Sequence, residues 1–247
     1  MTRSATTPAE PGKARKNVVR STNENPKCDA PEAKRIVLVD DHPLFRKGLQ
    51  EMIHSDGPFA VCGEAGNAAE AMALIRKLSP DMAIVDLSLP GANGIELIKN
   101  IRAEFSKVPI LVLSMHDESL YAVRALRAGA DGYVMKHEAM ANVIHAIREV
   151  FNGRPYLSPA MAAQVITKFA HRQAEGESDA VERLSDRELE ILELIGKGHE
   201  VRRIAKLLHL SPKTVETHRA HIKDKLDLKN SREVARFALQ WLNAREA

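Results

Sequence analysis

Between residues 35 and 157, short apolar runs alternate with segments of helical periodicity, and this alternation restricts the fold more than any other feature of the chain. Parallel strands need crossover connections, so the pattern favours a parallel sheet covered by helices on both faces. The predicted fold class is therefore a doubly wound α/β domain with a five-stranded parallel sheet. The predicted strands are Ile36–Val39, Phe59–Cys62, Met82–Val85, Ile110–Leu113 and Gly132–Met135, and the predicted helices are Pro43–His54, Ala68–Leu78, Gly94–Glu104, Glu118–Ala128 and Glu138–Asn152.

The segments on either side of the α/β region differ from it in composition. Residues 1–34 show little apolar periodicity and carry seven basic against four acidic side chains, which predicts a disordered extension. Residues 158–183 are predicted to be a linker. It would hold a short amphipathic helix at Ala160–Ala170 and a flexible stretch at Arg172–Glu182.

Residues 184–247 are predicted to form a separate, all-helical domain of four helices. Ser185 followed three residues later by Glu188 is typical of a capping box at a helix start. A helix-turn-helix is predicted where a helix from Ser211 to Leu226 follows a short turn. Basic side chains beside a helix that can enter a major groove indicate DNA binding, although a solvated helix face would have the same charge.

The composition excludes several classes of protein. No apolar run approaches the roughly 18 residues of a membrane helix, and the N-terminus lacks the apolar stretch of a secretory signal. The two cysteines, Cys28 and Cys62, are too few for a disulfide framework or a four-ligand thiolate site. We therefore predict a cytoplasmic protein with no membrane partner.

Five polar residues follow the predicted strands at their carboxyl ends, where doubly wound sheets bind ligands. They are Asp40, Asp41, Asp86, Ser114 and Lys136. Clustered carboxylates favour a hard cation, and Mg²⁺ accepts one or two carboxylates together with phosphate oxygens. Asp86 could then attack a phosphorus centre to form an acyl phosphate, with Lys136 and Ser114 close to the transferred group. The alternative is a set of solvated acids with an ion-paired lysine.

The motifs around these residues resemble the receiver domain of bacterial two-component response regulators. They are Val-Asp40-Asp41-His, Ile-Val-Asp86-Leu-Ser-Leu-Pro-Gly, Leu-Ser114 and Gly-Tyr133-Val-Met-Lys136. The resemblance implies a CheY-like fold in which Asp86 accepts phosphate from a sensor histidine kinase. It also implies that Asp40, Asp41 and Asp86 bind Mg²⁺ together with the backbone carbonyl of Ser88.

The same resemblance implies a role for each residue around the phosphoryl group. Lys136 would contact the group, while Ser114 and Tyr133 would form a switch pair that reorients on phosphorylation. Met115 stands where many receivers have a small residue, so its side chain could restrict access to the acyl phosphate. His137 follows the lysine where proline is common, and no chemical group is lost through either departure.

The C-terminal segment is similar to the LuxR-type helix-turn-helix, so the whole chain resembles the NarL/FixJ subfamily of response regulators. The motifs are Leu184-Ser-Asp-Arg187-Glu188, Ile204-Ala, Leu208-His-Leu-Ser211, Thr214-Val215-Glu-Thr-His218 and Ile222-Lys-Asp-Lys225-Leu226. By matching position, Glu216, Thr217 and Ala220 would face base edges. The remaining predicted DNA-binding residues are Lys213, Thr214, His218, Lys223 and Lys225.

The last helix carries an apolar stripe that includes Val234, Phe237 and Trp241. It could pack inward on its own domain, whereas the resemblance implies a contribution to a homodimer on a near-palindromic DNA site. The predicted function is thus a DNA-binding response regulator rather than an enzyme, with at most slow self-catalysed phosphorylation and dephosphorylation.

Two other functions fit the sequence less well. A haloacid-dehalogenase-like phosphohydrolase would need an Asp-x-Asp pattern, which Asp40-Asp41-His does not supply. A LuxR regulator that senses a small molecule would need a ligand cavity in the first domain, and 4% aromatic residues argue against one.

Overall fold

The computed structural model describes residue 1, residues 33–163 and residues 180–246. The N-terminal domain contains β1 (Lys34–Val39), α1 (Pro43–Ser55), β2 (Phe59–Ala65), α2 (Ala68–Leu78), β3 (Met82–Asp86), β4 (Ser88–Leu89), β5 (Ala92–Asn93), α3 (Gly94–Glu104), β6 (Ile110–Ser114), α4 (Glu118–Ala128), β7 (Gly132–Met135) and α5 (Lys136–Phe151). Five strands form one parallel sheet in the order β2-β1-β3-β6-β7. The predicted fold class is confirmed.

The sheet is buried on both faces, as parallel strands require. One face packs against α1 and α5 through side chains such as Ile53 and Val143. The other packs against α2, α3 and α4 through side chains such as Ile75, Ile98 and Tyr121. Alternate residues of each strand enter the two clusters. Because β1, β3 and β6 are neighbours that pair in parallel, their carboxyl ends meet at one edge of the sheet.

Some details of the N-terminal domain differ from the prediction. The short antiparallel hairpin of β4 and β5 had no counterpart in the sequence pattern. Helix α5 begins at Lys136, two residues earlier than predicted, so this lysine opens the helix instead of ending the strand. Lys34, predicted to belong to the N-terminal extension, starts β1. Residues 2–32 of that extension lie outside the described part.

The C-terminal domain is helical, as predicted. It contains α6 (Asp186–Gly196), α7 (Val201–Leu207), α8 (Pro212–Lys225) and α9 (Ser231–Glu246). Ser185 and Glu188 form both hydrogen bonds of the predicted capping box. Ser211 caps α8 by accepting a hydrogen bond from the backbone N–H of Thr214 at 3.0 Å.

The segment between the domains is only partly described. Residues 159–163 are helical, and the rest of the predicted Ala160–Ala170 helix lies outside the described residues, as do residues 164–179. Contrary to a flexible stretch up to residue 182, Ala180–Arg183 forms a 3-10 turn with Val181 buried. The turn is ordered because Val181 joins an apolar cluster that continues from the second sheet face into the C-terminal domain.

Candidate functional site

The central carboxylates lie at the carboxyl edge of the sheet and share one ammonium group. Lys136 Nζ is 2.7 Å from Asp40 Oδ2 and 2.7 Å from Asp86 Oδ2. All three side chains are buried, and the lysine also lies over the ring of Phe45, 4.8 Å from its centroid. Two buried carboxylates held by one cation leave a net negative charge, which suits a site for a further cation.

Asp41 completes the acidic cluster. Carboxylate or imidazole atoms of Asp40, Asp41, His42 and Asp86 lie within 4.8 Å of one another. Asp41 Oδ1 is buried and makes no hydrogen bond of acceptable geometry, although His42 Nδ1 lies 2.7 Å away. Ser88 donates its backbone N–H to Asp86 Oδ1 at 3.1 Å, which brings β4 beside the cluster. These oxygen donors match the ligand preference of Mg²⁺.

Burial and ion pairing have opposite effects on the pKa values of Asp86 and Lys136. Removal from water raises the pKa of Asp86, and the nearby Lys136 charge only partly offsets this. Burial opposes protonation of Lys136, yet the attraction of Asp86 and Asp40 outweighs it and raises the pKa of the ammonium. Lys136 therefore stays charged at neutral pH.

The predicted switch residues meet on the backbone of His116. Ser114 is fully buried, and its Oγ accepts a hydrogen bond from the His116 N–H at 3.0 Å. Tyr133, also fully buried, donates its hydroxyl to the His116 carbonyl at 2.8 Å. Burial raises the pKa of Tyr133, so its hydroxyl remains a donor. Met115, which follows Ser114 in the chain, is 67% exposed.

The His116 ring connects this site with the C-terminal domain. Its Nε2 lies 3.0 Å from Ser88 Oγ, and its Nδ1 lies 3.5 Å from Glu193 Oε2 on α6. Tyr121 donates its hydroxyl to the same carboxylate oxygen at 3.0 Å and packs against the His116 ring. Burial opposes ionisation of Glu193, but His116 and Lys197 lower the pKa of its carboxyl to about 2.

A second set of contacts holds α6 against α3 and α4. Arg124 donates to the carbonyls of Leu184 and Val181 at 2.8 and 3.1 Å and to Asp186 Oδ1 at 3.1 Å. Asn93, the cap of α3, donates to Glu190 Oε1 at 2.7 Å. The two domains are thus joined by buried polar contacts as well as by the shared apolar cluster.

Most of the predicted DNA-contacting side chains lie on one exposed side of α8. Lys213, Glu216, Thr217 and Ala220 are exposed, while Thr214, His218 and Lys223 are half-buried. The exposed Lys225 is engaged within the domain, because its Nζ donates to Glu188 Oε2 at 2.6 Å. Burial lowers the pKa of His218, so its imidazole is neutral at pH 7.

Comparison with known proteins identifies both domains. Residues 36–148 match the response regulator receiver domain, and residues 182–238 match the bacterial regulatory proteins of the luxR family. The chain is 36% identical over 210 residues to the oxygen regulatory protein NreC of Staphylococcus carnosus, covering 83% of this chain and 97% of that protein. This protein belongs to the LuxR-type response regulators. It is a DNA-binding response regulator of a two-component system, and the predicted resemblance is confirmed.

Solved structures agree with this membership. A LuxR-family response regulator from Aurantimonas sp. SI85-9A1 shares 39% identity over 56% of this chain and 99% of that chain, with a TM-score of 0.53. RcsB from Salmonella enterica serovar Typhimurium, solved bound to promoter rprA with the phosphomimetic BeF3-, shares 26% identity over 83% of this chain and 98% of that chain, with a TM-score of 0.56. Family membership therefore decides against the phosphohydrolase and the small-molecule sensor.

The predicted dimerisation residues of this response regulator occupy different environments. Val234 is buried in the core of the LuxR-type domain, and Phe237 is half-buried beside it. Trp241 is half-buried and lines a cavity with Leu120 and Val123 of the receiver domain. Among the described residues no helix is both long and apolar enough to cross a bilayer.

Sequence reasoning missed the residues that join the two domains. His116 lies outside the strand-end positions that carry the acidic chemistry, so nothing in the local pattern marked it. Glu190 and Glu193 are carboxylates three residues apart on a helix whose apolar residues are also buried, and both are themselves buried. Asp186, Glu190 and Glu193 recur at i, i+4 and i+7, so they form a polar stripe that is typical of a solvent-exposed face. No signal in the sequence therefore marked this face of α6 as covered.

Proposed function

We propose that Asp86 of this response regulator receives a phosphoryl group from a partner sensor histidine kinase and that the event is transmitted to the DNA-binding domain through His116. One observation carries the proposal. Lys136 Nζ lies 2.7 Å from both Asp40 and Asp86 at the carboxyl edge of the sheet, so a nucleophile, an acidic cluster and a fixed cation share one site.

The chemistry is the transfer of one phosphoryl group from a histidine nitrogen to a carboxylate oxygen. An Asp86 carboxylate oxygen attacks the phosphorus of a phosphohistidine; the new P–O bond forms while the P–N bond breaks and the imidazole leaves. Lys136 is held beside Asp86, where its charge can stabilise the phosphoryl oxygens. Self-catalysed phosphorylation and hydrolysis at this site are expected to be slow at most.

The donor set fits Mg²⁺. Asp40, Asp41 and Asp86, with the backbone carbonyl of Ser88, would hold the ion, and the buried, hydrogen-bond-free oxygen of Asp41 supports this assignment. Bound there, Mg²⁺ would neutralise charge on the phosphoryl oxygens.

Ser114 and Tyr133 act as the switch because both hold the backbone of His116. Ser114 Oγ cannot serve the His116 N–H and turn toward a phosphoryl group at the same time. When it turns, the segment at His116 is freed and its ring leaves Ser88 and Glu193. Loss of these contacts weakens the attachment of α6 to the receiver.

Docking of the two domains leaves the predicted base-reading residues uncovered. Glu216, Thr217 and Ala220 are exposed while α6 lies against the receiver, whereas Trp241 faces the receiver. We therefore propose that phosphorylation acts on pairing through α9 more than on access to α8. A pair of freed domains would bind a near-palindromic site as a homodimer. The structure of two RcsB dimers bound to two parallel DNAs supports pairing on DNA in a relative.

The test compares matched aspartate variants. Asp86→Asn should abolish labelling by acetyl phosphate, and Asp41→Asn should weaken it and raise the Mg²⁺ concentration needed. Asp81→Asn, at the opposite end of the same strands, should label like the wild type. Full labelling of Asp86→Asn would refute the assignment of the phosphoacceptor.

The same proposal implies that double-stranded DNA is a partner of the protein and indicates where in the cell the protein acts. A DNA-binding regulator paired with a sensor kinase is expected in the cytoplasm. Binding of the phosphorylated full chain to DNA, measured by fluorescence anisotropy with the Asp86→Asn protein as the control, tests the link between the two domains. Equal affinities for both proteins, with and without acetyl phosphate, would refute that link.

A further inference from the structure

Three potential metal ligands meet on the LuxR-type domain, remote from the acidic cluster of the receiver. Glu188 lies on α6, and His218 and His221 lie on α8, with one ligand atom from each within 4.8 Å of the others. Glu188 is buried, His218 half-buried and His221 exposed, so solvent reaches the group from the side of His221. Residues three apart on a helix lie on the same face, which is why both imidazoles approach one carboxylate.

The pairing of polar atoms in this group is incomplete. His218 Nδ1 is buried and has no hydrogen-bond partner, which is uncommon for a buried polar atom. Glu188 Oε2 accepts hydrogen bonds from Lys225 Nζ and the Ser185 N–H, while Oε1 lies 3.6 Å from His221 Nδ1. One carboxylate oxygen and two imidazoles therefore remain able to coordinate an ion.

We propose that Glu188, His218 and His221 form a binding site for a late first-row divalent metal ion of the Zn²⁺ class, which ties the recognition helix α8 to α6. Two imidazoles and one carboxylate are a known zinc ligand set that leaves a fourth position for water. Imidazole nitrogen favours Zn²⁺ and its neighbours in the series, whereas Mg²⁺ prefers oxygen ligands only. The site is independent of the phosphoryl chemistry.

Lys225 opposes the metal and so provides a sensitive test. Its ammonium lies 2.6 Å from Glu188 Oε2, where it competes with a second cation for the same carboxylate. The Lys225 side chain is 40% exposed, so it can move into solvent when an ion binds. Lys225→Met should therefore bind Zn²⁺ more tightly than the wild type. If His221 had only a structural role and bound no metal ion, removal of the Lys225 charge would not produce tighter Zn²⁺ binding.

The experiment is a Zn²⁺ titration of the full chain by isothermal calorimetry in excess Mg²⁺, which keeps the acidic cluster occupied. His221→Asn should weaken Zn²⁺ binding at this site by about tenfold or more. Loss of a residue that only hydrogen-bonds to a metal ligand already lowers metal affinity by about 10–100-fold, and His221 is itself a proposed ligand. His209→Asn is the matched control, because His209 is exposed on the same domain and its positive φ of 53° suits asparagine. His42→Asn removes the histidine beside the acidic cluster.

The proposal requires that only His221→Asn lose the site, that both control variants bind as the wild type does, and that Lys225→Met bind more tightly. Zn²⁺ should also raise the Tm of the wild type and not that of His221→Asn, because an ion that binds only the folded state stabilises it. Equal binding by wild type and His221→Asn, loss of binding in His42→Asn, or no binding by either the wild type or Lys225→Met would overturn the proposal.

Discussion

Arg124 on α4 makes the most concentrated set of polar contacts between the domains, so its replacement gives the sharpest test of docking. Three hydrogen bonds from its guanidinium reach Val181, Leu184 and Asp186. The side chains of Arg124 and Asp186 are 17% and 13% exposed, so solvent screens the pair only weakly. Hydrogen bonds that involve a charged group contribute roughly 1.5–3 kcal/mol each and are not additive. We therefore expect Arg124→Met to lower the free energy of unfolding of the full chain by about 3 kcal/mol.

Thermal unfolding of the full chain measures this cost. A loss of about 3 kcal/mol corresponds to a fall in Tm of roughly 6–12 °C at 2–4 °C per kcal/mol for a protein of this size. Arg127→Met is the matched control, since Arg127 lines the same cavity but is exposed. It should shift Tm by no more than a degree or so. If Arg124→Met unfolds at the wild-type temperature, the two domains do not stabilise each other through this arginine.

Further predictions concern the site, the interface and the DNA. A methyl group at Gly94 would lie 2.5 Å from the Asp86 carbonyl oxygen, so Gly94→Ala should lower Tm and slow acetyl phosphate labelling; unchanged labelling would contradict this. The pKa of Glu193 is lowered to about 2, so its ionised carboxylate stabilises the folded chain above about pH 4.5 and loses that effect as the pH falls toward 2. Glu193→Gln should therefore reduce the fall of Tm at acid pH. An unchanged acid dependence of Tm would count against this role of Glu193. Thr217→Ala should alter base preference and Lys213→Ala should weaken all sequences alike, which a DNA-sequence panel measured by anisotropy checks. If about four to six phosphates are neutralised per domain, the slope of log affinity against log salt should be about −4 to −5 for that domain, and a salt-independent affinity would contradict an electrostatic contribution to DNA binding.

The acidic site was predictable because its residues are fixed by strand ends. Asp40 follows β1 and Asp86 ends β3, and parallel neighbouring strands bring their carboxyl ends together whatever the loops do. Lys136 follows β7 directly and its long side chain reaches both carboxylates. The start of α6 was equally predictable, since its cap Ser185 depends on a residue only three positions away. The start of α5, which has no side-chain cap, was predicted two residues too late.

The contact between domains was not predictable in this way. The Glu193 carboxylate meets Tyr121, 72 residues away along the chain, and Asn93 meets Glu190, 97 residues away. Nothing in the periodicity of either segment specifies which surface of one domain covers the other. Trp241 shows the same limit, because its apolar stripe predicts that it is covered without saying whether by its own domain, by the receiver or by a second copy.

The apolar cluster that runs from the receiver into the LuxR-type domain affects how the transcriptional response depends on the amount of phosphorylated regulator. Separation of the domains would leave side chains such as Leu120, Val123 and Trp241 in water, at a cost of about 25 cal/mol for each Å² of apolar surface. Under the proposed pairing through α9, a second opened copy would cover Trp241 again, whereas an isolated opened chain would not. The amount of regulator bound to DNA should therefore rise with roughly the square of the number of phosphorylated molecules. The abundance of the regulator in the cell would then set a threshold for the transcriptional response.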